Sequence, residues 1–169
     1  MPKYYHIDLS NKFWKDKTTG IACVSVDTKE HIGCALSTHL KKEIYRKLLK
    51  EETQEGRAKL YAICIYLLAR NIANKIRTLV ICNDENFHFV RQYLEKLFKQ
   101  KAPFAIISIT AYRAETGRNI KSPADNLAAH YAKRELNERK RNKGIKLNVI
   151  LTNFKTIKAK WNEVKSVSE

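Results

Sequence analysis

Three aspartates lie at the ends of apolar segments, and this placement limits the folds that the chain can adopt. Asp8 follows the apolar residues 4–7, Asp84 closes segment 78–84, and Asp125 opens segment 125–129. An isolated buried charge is very costly, so such carboxylates must be paired, hydrogen-bonded or bound to a cation. Strand-end carboxylates that face one another can hold a divalent cation. We therefore expect a fold that brings the three aspartates together at a metal site.

The charge balance favours a polyanionic partner. The chain has 33 Lys and Arg against 17 Asp and Glu, a formal net charge of +16. Such an excess is typical of proteins that bind nucleic acid. The alternatives are a lysine-rich surface that serves solubility and an anionic membrane surface. The membrane ranks behind, because no amphipathic segment combines a basic face with several Trp or Phe residues.

The length predicts one domain that spans residues 1–169. No apolar run is long enough to span a bilayer and the N-terminus has no signal-peptide pattern, so we expect a cytoplasmic monomer. The chain contains no CxxC pair, and buried reduced thiols are expected at its four cysteines: Cys23, Cys34, Cys64 and Cys82.

Apolar periodicity predicts the order βββαβαβα. The expected strands are 3–8, 20–27, 31–37, 78–84 and 104–110, and the first three form an antiparallel meander because their connections are short. The expected helices are 41–52, 53–75, 86–99 and 122–141, with a further strand 145–151 and a short helix in the tail. The prediction is an α/β protein with a five-stranded mixed sheet flanked by helices.

Three local sequences resemble type 1 ribonuclease H. They are Ile7-Asp8-Leu9-Ser10, residues 80–90 around Asp84, and residues 124–132, which match the Ala-Asp-x-Leu-Ala motif of that family. The resemblance covers about residues 3–135. It implies a ribonuclease H-like domain with a core of about 3–143 and a C-terminal extension of about 145–169.

The resemblance also implies a carboxylate from the first long helix. The Glu-x-x-Ala pattern of the family aligns with Glu55 and Ala58. Sliding the alignment by one turn places Lys59 there instead, and both residues lie on the same helical face. We choose Glu55 because a cation site needs an anion, whereas Lys59 at the metal would indicate a relative that only binds nucleic acid. An ordinary first-turn glutamate that complements the helix dipole is the alternative.

Asp84 and Asp125 also have a purely structural interpretation, because both precede helices and Asp is a preferred N-cap. Asp8 has no such role, since a bare Asp is depleted within strands. Together the three favour a metal site.

The implied activity is hydrolysis of the RNA strand of RNA/DNA hybrids with two Mg²⁺ ions, Mn²⁺ being possible, about 4 Å apart. The implied catalytic and metal-binding residues are Asp8, Glu55, Asp84 and Asp125. The candidate substrate-binding residues are Asn11, Thr53, Gln54, Arg57, Asn86 and Arg118. Two other classes stay open: a Holliday-junction resolvase or transposase-type nuclease on the same fold, and a non-catalytic nucleic-acid-binding relative.

Two features depart from the family. Loop 111–121 lacks the His that many members carry there, and Glu115 or Arg118 is the possible substitute. The extra basic helix of some bacterial members is missing, so the grip on phosphate must come from other basic residues. The candidates are Lys133, Arg134, Arg139, Lys140, Arg141 and Lys143 in the last helix, and Arg91, Lys96, Lys99 and Lys101 in the helix before it.

Overall fold

The structure is a computed structural model that describes residues 4–101, 107–112, 122–133 and 147–164. Its centre is a five-stranded mixed sheet with strand order β3-β2-β1-β4-β5, flanked by helices. The predicted α/β architecture is confirmed at this level. The strands are β1 Tyr4–Ser10, β2 Thr19–Ser25, β3 His31–Leu36, β4 Thr78–Ile81 and β5 Ser108–Ala111.

The first three strands form the predicted antiparallel meander, and β4 and β5 add to the other side of β1 in parallel. Strand β4 is shorter than predicted. It ends at Ile81, and Asp84 lies in a turn beyond it. The last ladder contact there is the Cys82 N–H, which donates to the carbonyl of Ile7 at 3.0 Å. The predicted segment 78–84 extends beyond β4 because Cys82 still contacts β1, although the strand itself has ended.

Within the described residues, five helices surround the sheet: α1 Thr38–Ile44, α2 Gln54–Ala69, α3 Phe87–Lys101, α4 Asp125–Ala132 and α5 Phe154–Glu163. Helix α1 starts earlier than predicted and continues as a π-helical turn over Tyr45–Leu49. Lys50, at a φ of 56°, then breaks the helix. Helix α2 starts within one residue of the predicted start, with Thr53 as its N-cap, and becomes a 3-10 turn over Arg70–Lys75. Parts of the predicted segments 104–110 and 122–141 lie outside the described residues.

The sheet separates two apolar layers. Helix α2 lies on one face, where every residue from Ala58 to Ala69 is buried among the sheet, α3 and α5. Helix α4 lies on the other face, close to β2. A Cβ atom on Gly20 would lie 2.1 Å from the carbonyl oxygen of Ala128, so only glycine permits this approach. Gly20 therefore sets how closely α4, and Asp125 at its start, approaches the sheet.

The tail packs onto the same unit. The predicted strand 145–151 is reduced, among the described residues, to one β-bridge between Val149 and Gly33 of β3. Asn148 accepts a hydrogen bond from the Tyr131 hydroxyl at 3.2 Å, which links the tail to α4. Helix α5 buries Ile157 against the main core, as the predicted apolar face requires.

All four cysteines are free, with Cys23, Cys34 and Cys64 buried and Cys82 half-buried. Within the described ranges, no helix is both long enough and apolar enough to cross a membrane.

Candidate active site

Asp8 lies on the face of β1 that looks toward α4. Its neighbours Ile7 and Leu9 point the other way, into the core around α2, because side chains alternate along a strand. Only 6% of Asp8 is exposed. The Leu9 N–H donates to Asp8 Oδ1 at 2.7 Å. The carboxyl group is therefore well buried and held by its own strand.

The chain brings Asp84 and Asp125 to Asp8 by two different routes. Ile81 is the register partner of Ile7, so the chain that leaves β4 passes beside Asp8 and turns at Asp84. Asp125 is the first residue of α4, which packs across β1 and β2. Asp8 is in hydrogen-bonding reach of both side chains. The structure thus joins the three predicted aspartates.

Their proximity changes their acidity. Burial, followed by the hydrogen bond to Asp84 and the charge of Asp84, raises the pKa of Asp8 to about 8. Burial also raises the pKa of Asp84, although the hydrogen bond from Asp8 and the charge of Lys12 oppose this rise. The raised pKa values show that this buried pair resists carrying two negative charges.

Neither Asp84 nor Asp125 is a helix cap, so the structural interpretation of both residues is wrong. Asn86 caps α3, accepting a hydrogen bond from the Phe89 N–H at 3.3 Å. Ala124 occupies the N-cap position of α4 and offers no side-chain hydrogen bond. The two carboxylates are left for the cluster with Asp8.

Cys82, Ser122 and Tyr61 complete the surroundings, and none of them was predicted. The Cys82 thiol is within hydrogen-bonding reach of both Asp8 and Ser122, and burial raises its pKa to about 12. Tyr61 of α2 is fully buried with its hydroxyl unpartnered among the described residues. Burial and the charges of Asp84 and Asp8 raise the pKa of Tyr61 well above its usual value. These groups are neutral, so they leave the negative charge of the cluster uncompensated.

A buried ion pair lies beside the cluster. Arg57 of α2 donates from Nε to Glu85 at 3.2 Å, and Glu85 is 7% exposed. Burial raises the pKa of Glu85, while the charge of Arg57 and then its hydrogen bond lower it. The charge of Lys12 acts on both Asp84 and Glu85. Sequence reasoning treated Glu85 as part of a motif and missed this pair, because nothing in helical spacing marks Arg57 as its partner.

Glu55 and Lys59 share one face of α2, as their spacing predicts, and both contact Tyr93 of α3. The Tyr93 hydroxyl donates to Glu55 at 2.5 Å. The Lys59 ammonium lies 5.7 Å from the centre of the Tyr93 ring and 4.3 Å from that of Trp161. Arg57 also links α2 to the turn that carries Asp84, through its ion pair with Glu85.

Most of the predicted substrate-binding residues have a local structural role. Asn11, at a φ of 61°, donates to the carbonyl of Thr18 at 3.0 Å and shapes the loop after β1. Thr53 accepts from the Gly56 N–H and caps α2, and Gln54 is exposed at the first position of that helix. Arg118 lies outside the described residues.

The predicted basic surfaces are only partly described. Lys133 is exposed at the end of α4. On α3, Arg91 pairs with Glu95 at 2.9 Å. Lys96 and Lys99 are exposed. The remaining basic side chains of the two clusters lie outside the described side chains: Lys101, Arg134, Arg139, Lys140, Arg141 and Lys143.

The cluster has the donor chemistry for Mg²⁺ or Mn²⁺, since its charged groups are carboxylates. Asp84 Oδ2 is buried, and no N–H or hydroxyl group of the described residues donates to it. Across the described ranges, however, no three His, Cys, Asp or Glu side chains already converge as a ligand set. The aspartates instead contact one another through Asp8. To hold a divalent cation, Asp8 must release its proton and the carboxylates must turn toward the ion.

No family model, curated protein or solved structure matches this chain. The geometry of its own residues is therefore the basis for assigning a function.

Proposed function

We propose that this protein is a metal-dependent endoribonuclease that cleaves the RNA strand of RNA/DNA hybrids, on a ribonuclease H-like fold. The observation that carries the proposal is the contact of Asp8 with Asp84 and Asp125. These residues come from a central strand, the turn after its parallel neighbour and a helix on the face of the sheet. Buried like charges with raised pKa values are typical of functional sites, because they cost stability.

The topology supports the same proposal. Three antiparallel strands are followed by parallel strands β4 and β5, with α2 before β4 and α4 over the opposite face. This is the arrangement that the motifs around Asp8, Asp84 and Asp125 imply by resemblance. The motifs and the three-dimensional contacts agree on the same three carboxylates.

The roles of the chain's own residues follow from their surroundings. Asp8, Asp84 and Asp125 would supply oxygen ligands to a divalent cation, and Asp8 is the buried member of the three. Cys82, Ser122 and Tyr61 are neutral groups near the carboxylates, so a bound cation would be attracted more strongly than it is in water. Divalent cations held there would supply a hydroxide nucleophile at neutral pH and would stabilise the leaving oxygen of the phosphodiester.

Glu55 enters the proposal with a changed role. Its hydrogen bond to Tyr93 places it in the contact between α2 and α3. Glu85 is the other carboxylate beside the cluster, and Arg57 holds it in place from α2. We therefore assign the core ligand set to the three aspartates, and we assign Arg57 and Glu85 to positioning the turn that carries Asp84.

The test is cleavage of end-labelled substrates by wild type and by Asp84→Asn. The substrates are an RNA/DNA hybrid, duplex RNA, duplex DNA and a four-way DNA junction, each with Mg²⁺, Mn²⁺ or a chelator. Asp27→Asn is the matched control, because Asp27 is exposed in the turn after β2, at the other end of β1 from Asp8. We expect metal-dependent cleavage of the RNA strand of the hybrid alone, retained in Asp27→Asn and lost in Asp84→Asn.

Other outcomes contradict the proposal in different ways. Cleavage of the junction in preference to the hybrid would assign the site to a resolvase. Binding of hybrid without cleavage under every metal condition would make the protein a binding relative. Full activity in Asp84→Asn would show that the aspartate cluster is not the active site.

A further inference from the structure

Trp14 is an exposed aromatic side chain on the loop between β1 and β2. Its indole is 49% exposed, although the neighbouring Phe13 is buried. Two cations lie over its ring: Lys12 Nζ at 4.9 Å and Arg57 Cζ at 5.3 Å from the centroid. An exposed Trp flanked by cations has the composition of a surface that stacks nucleobases and contacts phosphates.

The loop that carries Trp14 is held firmly. The Thr19 hydroxyl donates to the carbonyl of Asn11 at 2.6 Å, which closes the base of the loop. The buried Lys41 ammonium donates to the carbonyl of Lys15 at 2.7 Å and also to that of Lys17. A fixed aromatic side chain loses little conformational entropy when a ligand stacks on it. The loop therefore holds Trp14 in a position from which it can stack on a ligand without much loss of conformational entropy.

The same loop connects Trp14 to the aspartate cluster. Phe13 packs edge-on against Tyr61, with their ring centres 6.1 Å apart, and Tyr61 is the α2 residue that responds to the charges of Asp8 and Asp84. On the other side, Arg57 bridges the Trp14 ring to Glu85, next to Asp84. Trp14 is thus linked through Arg57 to Glu85, the residue that follows Asp84.

The charges around Trp14 favour one ligand class. Arg57 is fixed by Glu85 and, at 3.4 Å, by Glu52. Lys12 has no salt-bridge partner among the described residues, so its ammonium is able to turn from the ring to a phosphate. A pocket of about 260 Å³ opens beside Trp14, and Lys15 and Lys42 line it together with Asp16 and Glu52. Asp16 and Glu52 repel a phosphate from this pocket, so Lys12 is the better phosphate contact.

We infer that Trp14 and Lys12 form a binding site for single-stranded nucleic acid that adjoins the cleaved duplex. In a duplex the faces of the bases are covered by their neighbours, so a Trp side chain stacks only on an unpaired or terminal base. The inference rests on the proposed function for the position of the duplex. It predicts that the protein prefers hybrids with a single-stranded extension over blunt hybrids.

The experiment measures binding by fluorescence anisotropy in the presence of a chelator, so that no cleavage occurs. The probes are a labelled blunt RNA/DNA hybrid and the same hybrid with a single-stranded extension at either end. The variants are Trp14→Ala, Trp14→Phe and the matched control Tyr4→Ala. Tyr4 is also an exposed aromatic residue, 45% accessible, but it lies at the opposite end of β1 from Asp8. Thermal melting followed by circular dichroism checks that each variant is folded.

We expect an extension to tighten binding by wild type about tenfold, which corresponds to the stacking of one base. Trp14→Ala should lose this preference, Trp14→Phe should retain part of it, and Tyr4→Ala should keep all of it. The chain contains two tryptophans, so Trp14 is the one that remains in a Trp161→Phe background. Its emission should then fall when the extended probe binds. Equal binding of both probes by wild type, or an unchanged preference in Trp14→Ala, would overturn the inference.

The results for this site and for the proposed function separate cleanly. Binding of the extension through Trp14 by a protein that cleaves none of the substrates would leave this site standing and remove the proposed hydrolysis. Cleavage of the hybrid by Trp14→Ala with no change in the preference for an extension would do the reverse.

Discussion

Lys41 and Asp8 are both buried charged residues, but their surroundings differ. Lys41 is 3% exposed and Asp8 is 6% exposed. The Lys41 ammonium donates to two backbone carbonyls and, at 3.1 Å, to the Thr19 hydroxyl. Asp8 receives one backbone hydrogen bond and otherwise meets other carboxyl groups. The Lys41 ammonium is matched by hydrogen-bond acceptors, whereas the Asp8 carboxyl group lies beside other carboxyl groups.

The difference indicates that the buried charge of Lys41 serves to stabilise the fold. Burial lowers the pKa of Lys41, yet its three acceptors give the ammonium a complete set of partners, which hold the loop that carries Trp14. A buried charge with full hydrogen bonding stabilises a unique arrangement. Burial raises the pKa values of Asp8 and Asp84 at a cost to folding, and such a cost is typical of functional sites. The following predictions test whether the two sites separate in this way.

The largest effect is expected from Asp8→Asn on cleavage. The substitution keeps the volume of the side chain and removes its charge, so activity on the hybrid should fall by more than about a hundredfold, since even indirect partners of metal ligands are worth that much. Steady-state cleavage with Mg²⁺ measures it. The same variant should melt at a higher temperature than wild type at pH 8, because a repulsive buried charge is gone. Loss of activity together with loss of folding would contradict the comparison.

Lys41→Met should reduce stability. Methionine fills a similar volume but leaves the carbonyls of Lys15 and Lys17 and the Thr19 hydroxyl without their donor. Unsatisfied buried groups of this kind lower the free energy of unfolding by about 2–3 kcal/mol in total. Urea denaturation measures the change, with the exposed Lys42→Met as the matched control, expected within about 0.5 kcal/mol of wild type. Equal stability of the two variants would show that the Lys41 contacts contribute nothing.

Much of the fold was predictable because it depends on local pattern. Alternation and short turns indicated the meander, and helical spacing indicated α2. The proximity of Asp8 and Asp84 follows from the parallel pairing of β1 with β4, since parallel neighbours present their carboxyl ends at one edge of the sheet. That the three aspartates form a metal site stays a prediction.

The rest depends on contacts that pattern does not encode. Glu55 was chosen by charge, and the structure adds its hydrogen bond from Tyr93 of α3, which helical spacing does not encode. The place of Glu55 in a metal site stays a prediction. The role of Asn86 as the cap of α3 followed from the early end of β4. Cys82 and Ser122 are small residues without a charge signature, so only the structure brings them to Asp8.

The pH dependence of stability should also separate the two sites. The native state holds a proton on Asp8 up to about pH 8, whereas the unfolded chain releases it near pH 4. Between these values the native state binds more protons, so this contribution to stability is present at low pH and is lost as the pH rises toward 8. Relative to Asp8→Asn, wild type should lose about 3–4 kcal/mol between pH 5 and pH 8.

Urea denaturation of wild type and Asp8→Asn at several pH values measures this difference. Burial lowers the pKa of His6, which acts in the opposite direction, and the subtraction removes its contribution because both proteins contain it. Asp27→Asn should give a curve parallel to that of wild type. If the wild-type and Asp8→Asn curves are parallel too, Asp8 is charged in the native state and the comparison with Lys41 fails.

The smallest effect is expected from Lys12→Gln, which tests whether a cation near the cluster serves the substrate or the fold. Lys12 is half-buried over Trp14, and its charge lowers the pKa values of Asp84 and Glu85. If it contacts one phosphate, the slope of log K against log salt should decrease in magnitude by about 1, with stability nearly unchanged. Lys29→Gln, exposed in the turn between β2 and β3, is the control and should keep the wild-type slope. A wild-type slope in Lys12→Gln, combined with a loss of stability, would place Lys12 with Lys41 among the charges that hold the fold together.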